Sequence, residues 1–202
     1  MSDALFHKIV DEGKQLRRAF FVPFLNGETF VFPRIWEWLD YMRDEQVRVH
    51  IYTNAEFMDV DRLIKYPNIT CICCGLNAAT EMTYNDVVRG PDYHVVTEKV
   101  RDLIERAPRR CAVWASMVVV DQNQHEVNAF KHQWRTHAIF GEFKNWGGAR
   151  HCAIEKAGPR VPCWPLLNSI NILWDGRVVP CCMDYDGRLI LGDANTQSLT
   201  EI

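Results

Sequence analysis

Three cysteines surround the clearest turn signal of this sequence. Asp175-Gly176 lies between apolar and β-branched residues, a pattern typical of a β-hairpin. Cys163 lies upstream of this turn, and Cys181 and Cys182 follow it. Thiolates at the two edges of one hairpin can converge on a metal ion or a cluster. We therefore predict that these three cysteines are metal ligands.

The spacing of these cysteines leaves two inorganic partners open. A 4Fe–4S cluster normally takes four thiolates, and the pattern supplies two or three of them. Neighbours on a strand point to opposite faces, so only one of Cys181 and Cys182 reaches the same cluster easily, and we favour Cys181. Zinc held by His151, Cys152, Cys163 and Cys181 is the main alternative.

Composition excludes several classes of protein. The net charge of −3 gives no reason to expect a nucleic acid or an anionic membrane as partner. No apolar run approaches the length of a membrane span, and no secretory signal opens the chain. The eight cysteines are too unevenly distributed for a secreted disulfide scaffold. We expect a cytoplasmic protein with reduced thiols, in which Cys71, Cys73 and Cys74 are core residues.

Strand and helix patterns alternate along most of the chain. Each strand is followed by polar residues, and the spacing indicates βαβ units with a parallel sheet, whose carboxyl edge is where sites are built. Strands are predicted at about 19–25, 47–52, 69–76, 112–120 and 138–143. Helices are predicted at 3–18, after Pro33, and at about 56–65, 80–88, 93–107 and 124–137.

The alternation stops at about Ala149. Short antiparallel strands are predicted at 168–174, 177–180 and 188–191, and a first helical turn at 198–202. The chain is therefore predicted to have two domains, at 1–148 and 149–202.

An ordered series of short motifs resembles the radical S-adenosylmethionine (SAM) superfamily, in particular members with a C-terminal SPASM-type auxiliary cluster domain. The series begins with a Gly-Glu motif, continues with a Thr-Asn motif and ends with a spaced pair of cysteines. Its members are Asn26-Gly27-Glu28-Thr29, Thr53-Asn54-Ala55, Gly75 to Thr80 with Tyr84 and Arg89-Gly90, Asn145-Trp146-Gly147-Gly148, and Cys163-x12-Gly176-x4-Cys181.

The resemblance implies a fold and a set of cofactors. The fold is α/β, a partial parallel (β/α)6 TIM-like barrel missing its first strand, followed by a small SPASM-like domain built on a β-hairpin. The cofactors are SAM and a 4Fe–4S cluster. The residues matching the family's SAM-binding motifs are Gly27, Glu28, Thr53, Asn54, Gly75, Asn77 and Arg89.

Simpler roles exist for these residues. Glu28 can pair with an ammonium group, or it can be a helix N-terminal acid ahead of Pro33. Asn54 and Asn77 can bond a ribose or a carboxylate, or they can be helix N-caps. Arg89 can bind a carboxylate with two hydrogen bonds, or it can be a solvated helix end.

The sequence departs from the family at three points. The family's CxxxCxxC loop, which holds the SAM-cleaving cluster, is absent, since no cysteine precedes Cys71. Further SPASM cysteines would lie beyond Ile202. Thr29 replaces the usual proline and Gly75 the usual serine. We expect a fragment of a longer enzyme that does not form a radical by itself.

The resemblance also implies a function for the parent enzyme. It would cleave SAM reductively and abstract a hydrogen atom, with a peptide or protein as the leading substrate class and a small molecule as the alternative. Its reductant would be a flavodoxin or a ferredoxin. No catalytic residue is identified. The alternative from another class is a non-catalytic binding module with a zinc or partial iron–sulfur site.

Overall fold

The chain folds into two compact units. The computed structural model describes residues 1–16, 19–144 and 164–202. One unit comprises Met1–Ala19 and Lys144–Ile202, and the other comprises Phe20–Phe143. In the described residues, no helix combines the length and apolar character that a membrane span requires. The predicted domain boundary at residue 148 lies outside the described residues.

The Phe20–Phe143 unit is a parallel α/β structure. Its five-stranded sheet has the order β1-β2-β3-β4-β5, and all four strand pairings are parallel. The strands are β1 (Phe20–Phe21), β2 (Arg48–Thr53), β3 (Ile69–Gly75), β4 (Ala112–Val119) and β5 (Ala138–Glu142). The helices are α2 (Ile35–Asp44), α3 (Val60–Leu63), α4 (Glu81–Val87), α5 (Tyr93–Arg106) and α6 (Val127–Trp134). The predicted parallel α/β class and all five strands are confirmed.

The core of this unit lies where the helices cover the sheet. Alternate strand residues such as Val49, Ile51 and Met117 are fully buried, as expected for a strand with one face against helices. The helices contribute one buried stripe each, including Leu39 of α2 and Leu103 of α5. Because all five strands run parallel, their carboxyl ends lie at one edge of the sheet.

Two elements of this unit are less than half as long as predicted. β1 ends before Pro23, which has no N–H to donate to a neighbouring strand. The helix predicted at 56–65 is reduced to α3, because Ala55 adopts a left-handed φ of +66° and a new N-cap follows at Asp59. The Asp59 carboxylate accepts a hydrogen bond from Arg62 N at 3.0 Å. The chain between β2 and α3 is therefore a loop.

The other unit combines the N-terminal helix with the C-terminal strands. Helix α1 (Asp3–Gly13) is capped by Ser2 and ends earlier than the predicted range of 3–18. The C-terminal elements are α7 (Trp164–Asn168), β6 (Asn171–Ile172), β7 (Arg177–Val179) and β8 (Gly192–Asp193). The three strands form an antiparallel sheet in the order β6-β7-β8.

Helix α1 packs against the C-terminal strands. Leu5 forms a buried cluster with Val178, Ala194 and Leu199. Lys8 Nζ donates to the carbonyl oxygens of Ala194 and Gln197 at 2.8 and 2.6 Å. These contacts make α1 an integral part of the C-terminal unit.

Parts of the C-terminal prediction are wrong. The first residue of the predicted strand 168–174 ends helix α7, and the third strand lies at Gly192–Asp193, after the predicted 188–191. The Asp184 carboxylate accepts hydrogen bonds from Arg188 N and Leu189 N at 2.9 Å each, which holds that segment in a turn. Residues 199–201 form a turn, and no helix begins at 198–202.

Candidate functional site

Glu28 connects the loop after β1 to the end of β2. Its Oε1 accepts hydrogen bonds from the Thr53 hydroxyl at 2.6 Å and from Phe30 N at 3.2 Å, and its Oε2 accepts one from Asn54 N at 2.7 Å. A carboxylate offers about four acceptor positions, so these three donors leave about one for a ligand. Glu28 caps the 3-10 turn Thr29–Val31, and it does not cap α2.

The residues on either side of Glu28 fix this loop differently. The Thr29 hydroxyl, which is buried, donates to the carbonyl oxygen of Tyr52 at 2.6 Å. Gly27 is exposed and has a φ of +95°, and apart from its chain neighbours no heavy atom of the described residues lies within 4 Å of where a Cβ would stand. The main chain at Gly27 is thus open while Thr29 anchors the loop to β2.

Asn54 presents a free amide nitrogen at the end of β2. Its Oδ1 accepts a hydrogen bond from Glu56 N at 3.0 Å, which fixes the orientation of the amide. Its Nδ2 makes no hydrogen bond within the part of the chain that the structure describes. The N-cap alternative is wrong for Asn54, because Asp59 caps α3.

Asn77 has the same arrangement at the end of β3. Its Oδ1 accepts a hydrogen bond from Val118 N at 2.8 Å, and among the described residues its Nδ2 has no hydrogen-bond partner. Its φ is +60°. Thr80 caps α4, so the N-cap alternative is wrong for Asn77 too. Asn54 and Asn77 are both half-buried, and each has a donor group left for a ligand.

Gly75 and Arg89 are less closely tied to these residues. A Cβ at Gly75 would lie 3.8 Å from the carbonyl oxygen of Thr53, an ordinary contact, so space does not require glycine there. Arg89 is exposed, with a φ of +54°, in the connection between α4 and α5. Within the described residues no hydrogen bond or ion pair joins Arg89 to the other predicted cofactor residues.

Sequence reasoning missed two buried polar residues at this edge. Asn123 Nδ2 donates to the carbonyl oxygens of Asn77 and Val118 at 2.8 and 2.9 Å. Glu126 accepts hydrogen bonds from Ala79 N and from the Thr83 hydroxyl at 2.6 and 2.8 Å. The only available signal was that Asn123 lies in a polar run directly after a predicted strand.

The pKa of Glu126 is held below its ordinary value. Burial alone would raise this pKa, because it disfavours the charged form. The hydroxyls of Thr80 and Thr83 and the N–H groups of Ala79 and Thr80 donate to the carboxylate and outweigh that effect. Glu126 is therefore an ionised, buried hydrogen-bond acceptor at neutral pH.

The predicted metal ligands lie partly outside the described residues. Cys163 is not among the described residues, nor are His151 and Cys152 of the zinc alternative. Cys181 and Cys182 follow β7 and are both half-buried. The strand-alternation argument that favoured Cys181 is wrong, because β7 ends at Val179 and Pro180 cannot extend the hydrogen-bonded strand.

The described cysteines have no disulfide partner and make no obvious metal centre. In the described ranges, no three His, Cys, Asp or Glu side chains form a cluster that could hold a metal ion. Burial raises the pKa of the Cys182 thiol, as does the neighbouring Cys181. Cys73 and Cys74 of β3 are buried, and Cys71 is half-buried. Burial raises the pKa of all three of these thiols, consistent with the predicted core role.

Comparison with known proteins gives a family match for the C-terminal residues and a structural match for the whole chain. Residues 163–202 match the SPASM family, described as an iron-sulfur cluster-binding domain. No curated protein matches the chain in sequence. Solved structures match it along its whole length.

Three of these structures illustrate the likeness. SuiB of Streptococcus suis bound to its precursor peptide SuiA has a TM-score of 0.77 at 11% identity, and the chain covers 57% of it. The structure of anSMEcpe with bound AdoMet has a TM-score of 0.68 at 12% identity, and the chain covers 71% of it. BtrN in complex with AdoMet and 2-DOIA has a TM-score of 0.60 at 14% identity, and the chain covers 68% of it. At such identities the likeness establishes the fold.

The family match covers the C-terminal part of this chain, and the shared fold extends over its whole length. SuiB, anSMEcpe and BtrN are radical SAM enzymes. Residues 163–202 of the chain match the SPASM family, and the chain shares the fold of these three enzymes. It spans 57 to 71% of the length of these three structures.

Proposed function

We propose that the chain is part of a radical SAM/SPASM enzyme and that the carboxyl edge of its parallel sheet binds SAM. The sheet would be a partial (β/α)6 barrel that lacks the first strand of the family pattern. The single observation that carries this proposal is the matched pair Asn54 and Asn77. Each has its amide oxygen held by a main-chain N–H and its NH2 group left to donate.

These donors suit the acceptor groups of SAM. The Asn54 and Asn77 NH2 groups can donate to its carboxylate or to its ribose hydroxyls. The remaining acceptor position of Glu28 and the open main chain at Gly27 can receive its ammonium group. Thr53 and Gly75 would lie between these groups, and Arg89 would supply a cation for the carboxylate.

The chemistry would come from the cofactors. When bound beside a reduced 4Fe–4S cluster, SAM would supply the radical chemistry that removes a hydrogen atom from the substrate. The residues of this chain would bind and orient SAM. Cys163 together with Cys181 or Cys182 would hold part of an auxiliary 4Fe–4S cluster.

The substrate is proposed to be a peptide or a protein. This proposal is supported by the fold shared with SuiB, whose structure contains the precursor peptide SuiA. A small-molecule substrate is the alternative, since BtrN is in complex with 2-DOIA. A flavodoxin or a ferredoxin would deliver the electron.

The SAM site is tested by two isosteric substitutions. Asn54→Asp and Asn77→Asp keep the internal acceptor oxygen but replace the donating NH2 group with a second oxygen. Each should weaken SAM binding about tenfold or more in equilibrium dialysis, because a donor is lost and a charge is placed against an acceptor. Asn85→Asp on the exposed side of α4 is the control and should leave the affinity unchanged. Equal affinity in all three variants would overturn the site.

The auxiliary site is tested by anaerobic reconstitution with iron and sulfide. We expect substoichiometric iron–sulfur cluster in the unsubstituted chain, because it supplies at most three thiolates, and less still after Cys163→Ser. Comparison of Cys181→Ser with Cys182→Ser identifies which of the two is a ligand. Tight, stoichiometric zinc in place of iron would overturn the assignment.

A further inference from the structure

Two buried polar side chains lie beneath the loop that carries Asn77. Asn123 is fully buried, and Glu126 is 5% exposed. Both come from the segment between β4 and α6. Neither belongs to the motifs that resemble the radical SAM superfamily, so their burial needs a separate explanation.

Asn123 ties the ends of β3 and β4 together. Its Nδ2 donates to the carbonyl oxygen of Asn77 and to that of Val118, and its Oδ1 accepts from Val120 N at 2.8 Å. Val118 N in turn donates to Asn77 Oδ1. Asn77 is therefore held at both its main chain and its side chain.

Glu126 holds the other end of the same loop. Its Oε2 accepts from Ala79 N at 2.6 Å and from Thr80 N at 3.3 Å. Its Oε1 accepts from the hydroxyls of Thr80 and Thr83. No described cation pairs with Glu126, so a buried charge is balanced entirely by neutral donors at the start of α4.

The loop requires such support because of its conformation. Asn77 has a left-handed φ of +60°, which a residue other than glycine adopts at a cost in energy. An unpaired buried carboxylate is also costly, so Glu126 and the loop stabilise each other. Together, the two side chains fix residues 77–80 at both ends.

We propose that Glu126, with Asn123, is a positioning residue for the cofactor site, because it holds residues 77–80 where the Asn77 amide can reach SAM. This inference rests on the SAM site proposed above. Glu126 itself does not touch the cofactor. Its loss should let the loop move and should weaken binding through Asn77.

The test uses three variants of the 202-residue chain. Glu126→Ala removes all the hydrogen bonds to the carboxylate. Glu126→Gln keeps an oxygen for the N–H groups of Ala79 and Thr80 and gives the threonine hydroxyls a donor. Leu103→Ala is the control, because it opens a cavity in the core at a fully buried residue of α5 that takes no part in these hydrogen bonds.

Two measurements are made on each variant. Amide hydrogen exchange at residues 79–84 reports opening of the loop, and equilibrium dialysis with SAM reports affinity. We expect Glu126→Ala to exchange faster at these amides and to bind SAM about tenfold more weakly. Glu126→Gln should recover part of both properties, and Leu103→Ala should keep the original affinity.

Other outcomes would overturn the inference. Equal losses of affinity in Glu126→Ala and Leu103→Ala would mean that Glu126 acts only through global stability. Unchanged amide exchange at residues 79–84 in Glu126→Ala would disprove that Glu126 fixes this loop. Failure of the unsubstituted chain to bind SAM would overturn the proposed function and the cofactor role of Glu126. The exchange measurement does not depend on SAM, so it would still show whether Glu126 fixes residues 77–80.

Discussion

The Thr53 hydroxyl donates a hydrogen bond to Glu28 Oε1 at 2.6 Å, which joins residues 25 positions apart in the sequence. This contact can form because parallel strands joined by a helix leave the sheet at the same edge. One carboxylate therefore holds the loops after β1 and β2 together. The same principle recurs at Asn77 and Glu126, which hold the loops after β3 and β4.

Replacement of Glu28 should destabilise the Phe20–Phe143 unit. Glu28→Gln removes the charge that strengthens the bonds from Thr53 and from Asn54 N, at an expected cost of about 1–3 kcal/mol in the free energy of unfolding. Urea denaturation measures this cost.

Glu37→Gln is the matched control for Glu28→Gln. Glu37 is 63% exposed and, among the described residues, pairs only with Arg34, so its replacement should cost less than about 1 kcal/mol. An equal cost for the two variants would show that the Glu28 hydrogen bonds add no stability.

Replacement of Lys8 should loosen the C-terminal unit. Lys8→Met leaves the carbonyl oxygens of Ala194 and Gln197 without their donor, at an expected cost of about 1–2 kcal/mol. Amide exchange at Gln197, whose N–H donates to Asp193 O, should accelerate. Lys14→Met is the control, because Lys14 forms an ion pair with Asp11 of its own helix. Identical exchange in the two variants would contradict the role of α1.

A side chain at Gly176 should disrupt the β6–β7 turn. Gly176 has a φ of +99°, and a Cβ there would lie 2.1 Å from Asn195 Nδ2. That nitrogen donates to Asp175 O, so Gly176→Ala combines backbone strain of about 1–2 kcal/mol with about 1 kcal/mol for a lost hydrogen bond. The exchange rate of the Leu173 amide, which donates to Arg177 O across the turn, measures the effect.

Gly90→Ala is the control for Gly176→Ala. Gly90 has a φ of +121°, and no heavy atom in the described part of the chain, apart from its neighbours, lies within 4 Å of where a Cβ would stand, so only the backbone strain remains. Its local cost, read at the Val88 amide, should be smaller. A Gly176→Ala effect no larger than that of Gly90→Ala would argue against the Asn195 contact.

The stabilisation from Glu126 should depend on pH in a defined direction. The folded-state pKa of Glu126 lies below its ordinary value of 4.5, so its stabilisation is complete above about pH 4.5 and is lost as the pH falls through the folded-state pKa. The difference in urea midpoint between the unsubstituted chain and Glu126→Gln should therefore shrink between pH 7 and pH 3. A difference that grows toward pH 3 would contradict an ionised Glu126.

The sequence predicted the elements that follow from periodicity. Apolar stripes such as Val96, Val100 and Leu103 located the helices, and short apolar runs followed by polar residues located the five strands. Where a local hydrogen bond overrides periodicity, the prediction was wrong: Asp59 restarts the helix after β2, and Asp184 holds a turn where a strand was expected.

The candidate site was only partly accessible from the sequence. Motif order pointed to Glu28, Thr53, Asn54 and Asn77, and the structure adds which atom of each is bound internally. Glu126 could not be predicted, because one acid at a helix start has no distinctive spacing and its donors lie 43 to 47 positions earlier in the sequence.

The most direct test of the central claim is the mapping of SAM binding by NMR on the 202-residue chain labelled with nitrogen-15. The account predicts that titration with SAM shifts the main-chain amides of residues 26–29, 53–56 and 76–80, together with the side-chain NH2 signals of Asn54 and Asn77. Shifts confined to other residues, or no shifts at millimolar SAM, would contradict a cofactor site at the carboxyl edge of the sheet.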